Sequence, residues 1–212
     1  QVAQRALEGA QDASARRTKG SLYTVKPATL FNNNRSDYAP VLLNEGKDRQ
    51  LYFTTTRTAT QGNQISGITG LKNGDIYVAN VDEKGNWKRP EAIAAVNTAD
   101  DEGAVCFSPD GKTMYLTVCP THPQYPRPAR IYTSARADAS WSKPQPLELL
   151  SDTLSNMAHP AISPDGRWLY FVSDMPGGEG ETDLWRAELK ENKAGRIVEN
   201  LGPQINTPDR KS

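Results

Sequence analysis

Nucleophilic, acid–base and metal chemistry needs histidines, thiols, carboxylates or activated hydroxyls at suitable spacing. This chain has two histidines, His122 and His159, and two cysteines, Cys106 and Cys119. A catalytic histidine needs an oriented partner within hydrogen-bond reach, and the sequence identifies none for either. His159 stands before Pro160 at the head of an apolar run, which reads as packing or capping. His122 lies in CPTHPQYPRPAR, a proline-rich stretch whose plain role is a stiff, exposed connector. Its functional role would be recognition: His122, Tyr125, Arg127 and Arg130 would supply aromatic and guanidinium contacts of the kind enriched at interfaces. There is no Gly-x-Ser-x-Gly nucleophile elbow. There is no His-x-x-x-His or Cys-x-x-Cys metal spacing, no P-loop and no Gly-x-Gly-x-x-Gly. Carboxylates gather at Asp100-Asp101-Glu102 and at Glu179, Glu181 and Asp183. Calcium takes several such oxygens, but neither group matches a calcium loop, and solvated loops are the simpler reading. No catalytic, cofactor-binding or metal residue is assigned, and the chain reads as no enzyme.

The most specific motif is a turn. Ser108-Pro109-Asp110-Gly111 recurs as Ser163-Pro164-Asp165-Gly166. Proline presets φ at the second position, aspartate bonds back to nearby backbone, and glycine takes the left-handed conformation. Apolar, β-prone runs flank both copies, so each reads as a hairpin, with Asp110 and Asp165 as turn residues.

The elements around these turns repeat. Asp110 to Asp165 and Tyr115 to Tyr170 are both 55 residues, and so is Tyr77 to Tyr132. Trp87-Lys88-Arg89-Pro90 aligns with Trp141-Ser142-Lys143-Pro144, and Asn97-Thr98 recurs as Asn206-Thr207. A period near 50 with several β-runs per copy is the signature of propeller blades. The expected strands fall near 38–43, 50–55, 75–80 and 91–95, then 103–107, 113–118, 129–134 and 146–150, then 159–163, 168–173, 182–188 and 197–201. The second strand of each copy is almost wholly apolar, which predicts burial on both faces. The fold class is therefore all-β, with four-stranded antiparallel blades at 36–98, 99–153 and 154–207. Closed propellers take roughly 4–8 blades, so three copies lead us to expect part of a larger propeller, or a non-native tail. Asn206-Thr207-Pro208-Asp209 looks like the lead-in to another copy. An unpaired third-blade edge invites pairing between copies.

Two long insertions, 57–74 and the His122 loop, join strands two and three of successive blades and should emerge on one rim. Before the blades, Val2, Ala3, Ala6, Leu7, Ala10 and Ala13 follow helical spacing. Residues 1–20 thus read as a short helical segment, the tail of a preceding helical domain or a helix packed on the propeller.

Composition narrows the partners. Lys plus Arg equals Asp plus Glu at 25 each, so no basic surface suits nucleic acid. Fifteen prolines and sixteen glycines fit a turn-rich β protein. No apolar run approaches the roughly 20 residues of a membrane span, and no signal-peptide core is visible. The cysteines sit at unequal distances from the Pro109-Asp110 turn, so two buried free thiols are expected.

The order Pro, apolar, Ser-Pro-Asp-Gly, apolar-Tyr-Phe, Ser, then Asp-Ile-Tyr resembles the WD40-like repeat of TolB-type propellers, across residues 36–208. The runs SGITGLKNGDIYVA (66–79), DEGAVCFSPDGKTMYLTVC (101–119), HPAISPDGRWLYFVSDMPGG (159–178) and ENLGPQINTP (199–208) resemble the propeller of Bacteroidota OmpA-family lipoproteins of the PorE-like kind. That resemblance implies tetratricopeptide helices before the propeller and a peptidoglycan-binding domain after it, absent from this sequence. It also implies a periplasmic, outer-membrane-associated full-length protein and a scaffolding role in type IX secretion. The partners implied are envelope or secretion-system proteins. A glycan- or muropeptide-binding module and, further off, a hydrolase are the competing readings.

Overall fold

The computed structural model describes residues 2–18, 23–57, 65, 70, 72–120, 128–138, 140–149 and 154–208. Thirteen strands among them form three antiparallel sheets, in which every strand but one pairs with a sequence neighbour. The first sheet holds β1 (Asp37–Leu43), β2 (Gln50–Thr55), β3 (Asp75–Asn80) and β4 (Glu91–Ala92). The second holds β5 (Asp101–Phe107), β6 (Thr113–Cys119) and β7 (Arg130–Ala137), and both β8 (Ser140–Trp141) and β9 (Gln145–Pro146) pair with β7. The third holds β10 (Met157–Ile162), β11 (Trp168–Ser173), β12 (Asp183–Lys190) and β13 (Lys193–Asn200). β5 packs on β1, β2 and β3, and β10 packs on β5, β6 and β7. Successive sheets therefore stack face to face as β-propeller blades.

The core lies in the two seams. Tyr52, Ile76, Met114, Leu116 and Trp141 meet between the first and second blades. Tyr115, Ile131, Leu169, Phe171 and Trp185 meet between the second and third. Burial on both faces of β6 follows from this stacking, because it lies between two blades, whereas β2 and β11 each share one seam with a neighbouring blade. The Trp141 indole N–H donates to the Tyr52 hydroxyl at 3.1 Å across the first seam. The Tyr115 hydroxyl donates to the Asn192 carbonyl at 3.3 Å across the second.

Three devices repeat from blade to blade. First, the innermost strand bulges at a left-handed residue: Ala39 (φ 50°), Ala104 (φ 44°) and His159 (φ 56°). Second, an asparagine closes the blade. Asn97 accepts from the Ile76 N–H at 2.8 Å and donates to the Ile76 carbonyl at 3.0 Å. Asn206 does the same to Leu184 at 2.8 and 3.0 Å. The recurring Asn-Thr pair thus marks a side chain standing in for a strand residue. Third, the hairpin turns stack. A Cβ on Gly111 would meet Leu43 Cδ1 at 3.3 Å, and one on Gly166 would meet Pro109 at 3.4 Å.

The differences from expectation lie at the edges. The fourth strand is only two residues long in the first blade. In the second it is split into β8 and β9, because Pro144 and Pro146 limit ladder donors. In the third it is eight residues long and starts at Lys193, because Glu191 and Asn192 both take positive φ and close a tight hairpin. The helix α1 spans Val2–Thr18 as its spacing predicts, and its described side chains, Leu7 included, are all exposed.

Residues 28–33 cover the outer face of the first blade. The Phe31 and Asn32 N–H groups donate to the Ala28 carbonyl, forming a turn. Phe31 then stands edge-on to Phe53 at 6.4 Å and to Trp87 at 5.7 Å.

Candidate functional site

One rim collects the acidic runs and the strand ends from which both long insertions leave. Asp37 pairs with Thr55 and Thr55 with Asp75, Asp101 pairs with Cys119, and Ser173 pairs with Met157 and Asp183. Innermost strands start on this rim, second strands end there and third strands start there. Both long insertions therefore leave from the same end of the stack. His122, Tyr125 and Arg127 lie outside the described residues, as does most of 57–74. Arg130 opens β7, and its guanidinium donates to the Ser155 carbonyl. The neighbouring Ala129 N–H donates to Asn156 Oδ1 at 2.9 Å, and Asn156 Nδ2 donates to Asp174 at 2.6 Å. Arg130 thus pins the root of the loop to the start of the third blade.

The four-residue turns lie at the opposite end and are structural. The Ser108 hydroxyl donates to Asp110 Oδ1 at 2.5 Å, while Ser108 Oγ accepts from the Thr113 N–H at 2.9 Å. Ser163, Asp165 and Trp168 reproduce both contacts, at 2.5 and 2.9 Å. Pro109 and Pro164 occupy the second turn positions, and Gly111 and Gly166 take φ 67° and 71°. The serine hydroxyl, then the N–H two residues on, holds each aspartate below the usual carboxylate range. These carboxylates spend their lone pairs locally.

Back on the rim, the acidic run before β12 folds around one carboxylate. Asp183 Oδ2 accepts from the Glu179 N–H and, at 3.2 Å, from Asn200 Nδ2. A Cβ on Gly178 would run into that carboxylate, which accounts for the glycine at 178. Among the described residues no three His, Cys, Asp or Glu side chains converge as a metal set.

The residue that sequence reasoning undervalued is Glu102. It is 0% exposed on β5. Its carboxylate accepts from the Thr98 hydroxyl and, at 3.2 Å, from the Thr98 N–H. Its own N–H donates to the Gly74 carbonyl at 3.0 Å, and the Gly74 N–H donates to Asp101 Oδ1 at 2.7 Å. Burial, reinforced by Asp75 and Asp100 and opposed by Thr98, pushes its carboxyl up to about 8. Beside it a cavity of ≈ 350 Å³ opens in the first seam, lined by Thr98, Asp100, Tyr132 and Lys143 among others. The repeat held one signal: Glu102 aligns with Asp37 and Met157, all at the start of an innermost strand. Asp37 is matched by Arg57 at 3.0 Å, whereas Glu102 is held by a hydroxyl and an N–H.

The other reactive groups are quiet. Burial pushes the Cys106 thiol up to about 12 and the Cys119 thiol up to about 11, so neither supplies a thiolate near neutral pH. Both are free. His159 is exposed on the innermost strand of the third blade, and its bulge geometry involves its backbone.

No family model matches the chain, and no curated protein does. Solved structures do. A puromycin-hydrolyzing peptidase of Mycobacterium tuberculosis is 17% identical with a TM-score of 0.50, over 80% of this chain and 24% of that one. TolB from Acinetobacter baumannii is 15% identical with a TM-score of 0.42, over 82% of this chain and 45% of that one. A thermostable family-43 glycoside hydrolase is 16% identical with a TM-score of 0.45, over 87% and 64%. The fold is that of β-propeller blades. At these identities the likeness extends to the fold alone, and the chain spans about a quarter of the peptidase. Among the described residues no helix is long and apolar enough to cross a membrane.

Proposed function

We propose that this chain is a noncatalytic propeller scaffold for protein–protein contacts. One observation carries the reading. The turn serines and aspartates, Asp183, Asn97 and Asn206 are each engaged in a turn or a blade closure, at repeating positions. Such a molecule offers surface rather than reacting groups, and its long loops leave from one rim. The setting we assign is a periplasmic, outer-membrane-associated assembly, with type IX secretion the specific case. This rests on the four runs at 66–79, 101–119, 159–178 and 199–208. Its partners are envelope or secretion-system proteins. The cavity beside Glu102 favours the second reading, a module binding a glycan or muropeptide, since Tyr132 and Lys143 bring an aromatic and a cation to one opening.

A pull-down from envelope extract separates the two. The baits are the chain and a version with residues 121–127 replaced by a Gly-Ser linker, which keeps Arg130 in place. Envelope proteins recovered by the first bait and lost with the second support the scaffold. Recovery of none, with saturable binding of muropeptides, would replace it by the ligand module.

A further inference from the structure

The seams share one directional fit. Tyr52, Tyr115 and Tyr170 occupy equivalent positions in β2, β6 and β11, facing innermost-strand residues Val41, Cys106 and Ala161. Tyr52 is 1% exposed and shares the first seam's core with Leu116 of the following blade. Tyr115 is 0% exposed and shares the second seam's core with Phe171. Each blade thus offers a tyrosine forward, and the next blade receives it on the residue equivalent to Phe53.

The two ends of the stack differ. Phe53 is 3% exposed although no other blade among the described residues packs on it, because Phe31 covers it. Arg57 holds that cover down: it lies over Phe53 and Tyr77 and donates to the Phe31 carbonyl at 2.9 Å. At the far end Tyr170 is half-buried, and Arg186 lies over Trp168 at 4.1 Å and pairs with Glu199. No other blade among the described residues covers that face. One chain therefore carries both halves of a heterologous contact, the kind that propagates from copy to copy. Arg57 is neutralised by Asp37 and Arg186 by Glu199, so neither of these guanidiniums would meet the other face unpaired.

We propose that residues 28–33 are a built-in plug that bars a second copy from seating its Tyr170 face on the Phe53 face of the first blade. Phe31 takes on Phe53 the place that Tyr52 and Tyr115 take on the equivalent residues in the two seams.

Sedimentation over a concentration series tests this. The wild-type chain is expected to stay monomeric. Phe31→Ala is expected to self-associate, its mean mass rising with concentration to at least about twice the monomer. Adding Tyr170→Glu to Phe31→Ala should return it to a monomer. Circular dichroism checks that each variant keeps its β-structure. Asn32→Gly is the milder variant: it removes the Oδ1 that accepts from the Ala28 N–H at 3.0 Å and leaves both faces intact. It should associate more weakly by the same route. Monomeric behaviour of both plug variants would overturn the proposal. So would a double variant that associates as Phe31→Ala does, or a wild type that associates equally.

Discussion

The backbone N–H of His159 donates to the Thr117 hydroxyl at 2.9 Å, across the seam between the second and third blades. Ala104 makes the same bond to Thr54 at 3.1 Å across the first seam. Both donors are left-handed bulge residues. The bulge withdraws one N–H from its own ladder, and the preceding blade accepts it. The equivalent position in the third blade is Val172, which has no hydroxyl to offer.

Thr117→Val should therefore weaken the second seam. The volume is conserved, but the His159 N–H loses its acceptor, at a cost of about 1–3 kcal/mol. The urea midpoint should fall with an unchanged slope. A shift equivalent to less than about 0.3 kcal/mol would mean that water replaces the hydroxyl.

Asn97→Ala and Asn206→Ala should behave alike. Each removes an acceptor and a donor from a third-strand residue at a buried site, an expected loss of about 2–3 kcal/mol. Amide exchange should accelerate at Ile76 in the first variant and at Leu184 in the second. Protection retained at both amides would show that the fourth strands close the blades without these side chains.

Gly111→Ala should destabilise by about 1–2 kcal/mol, the cost of a left-handed non-glycine residue. Its new Cβ also meets Leu43 Cδ1 at 3.3 Å, so Gly111→Ala should cost at least as much as Gly166→Ala, where the nearest atoms lie at 3.4 Å. Thermal midpoints of the two variants decide the order.

Glu102 should make the stability depend on pH. Its folded pKa of about 8 lies above the ordinary 4.5, so the folded state binds more protons than the unfolded state between those values. Stability from this group is complete below about 4.5 and is lost as pH rises through about 8. Burial also raises Cys106 and Cys119, to about 12 and 11, and hydrogen bonds lower Asp110 and Asp165, so these groups titrate outside that window. Glu102→Gln keeps the shape without the charge and should flatten the profile between pH 5 and 9. A variant whose stability still falls as steeply would place the proton elsewhere.

Residue identity and spacing determined the blades. The Ser-Pro-Asp-Gly turns carry their own φ preferences and side-chain bonds, so their geometry is local. The apolar second strands report burial on both faces wherever they are placed. Asn97 and Asn206 were visible as a repeat, but a side chain completing another strand's backbone is a contact across about 20 residues, and no local propensity encodes it. The tertiary structure alone decided three things. It buried Glu102 beside Asp75 and Asp100, which are near one another only once the first two blades stack. It laid Phe31 on Phe53, joining an irregular segment to a face that another blade would cover. It tied Arg130 to the root of the third blade. Turns and strand faces follow from interactions within a few residues. Burial of a charge, and which surface stays open, depend on what the rest of the chain brings alongside.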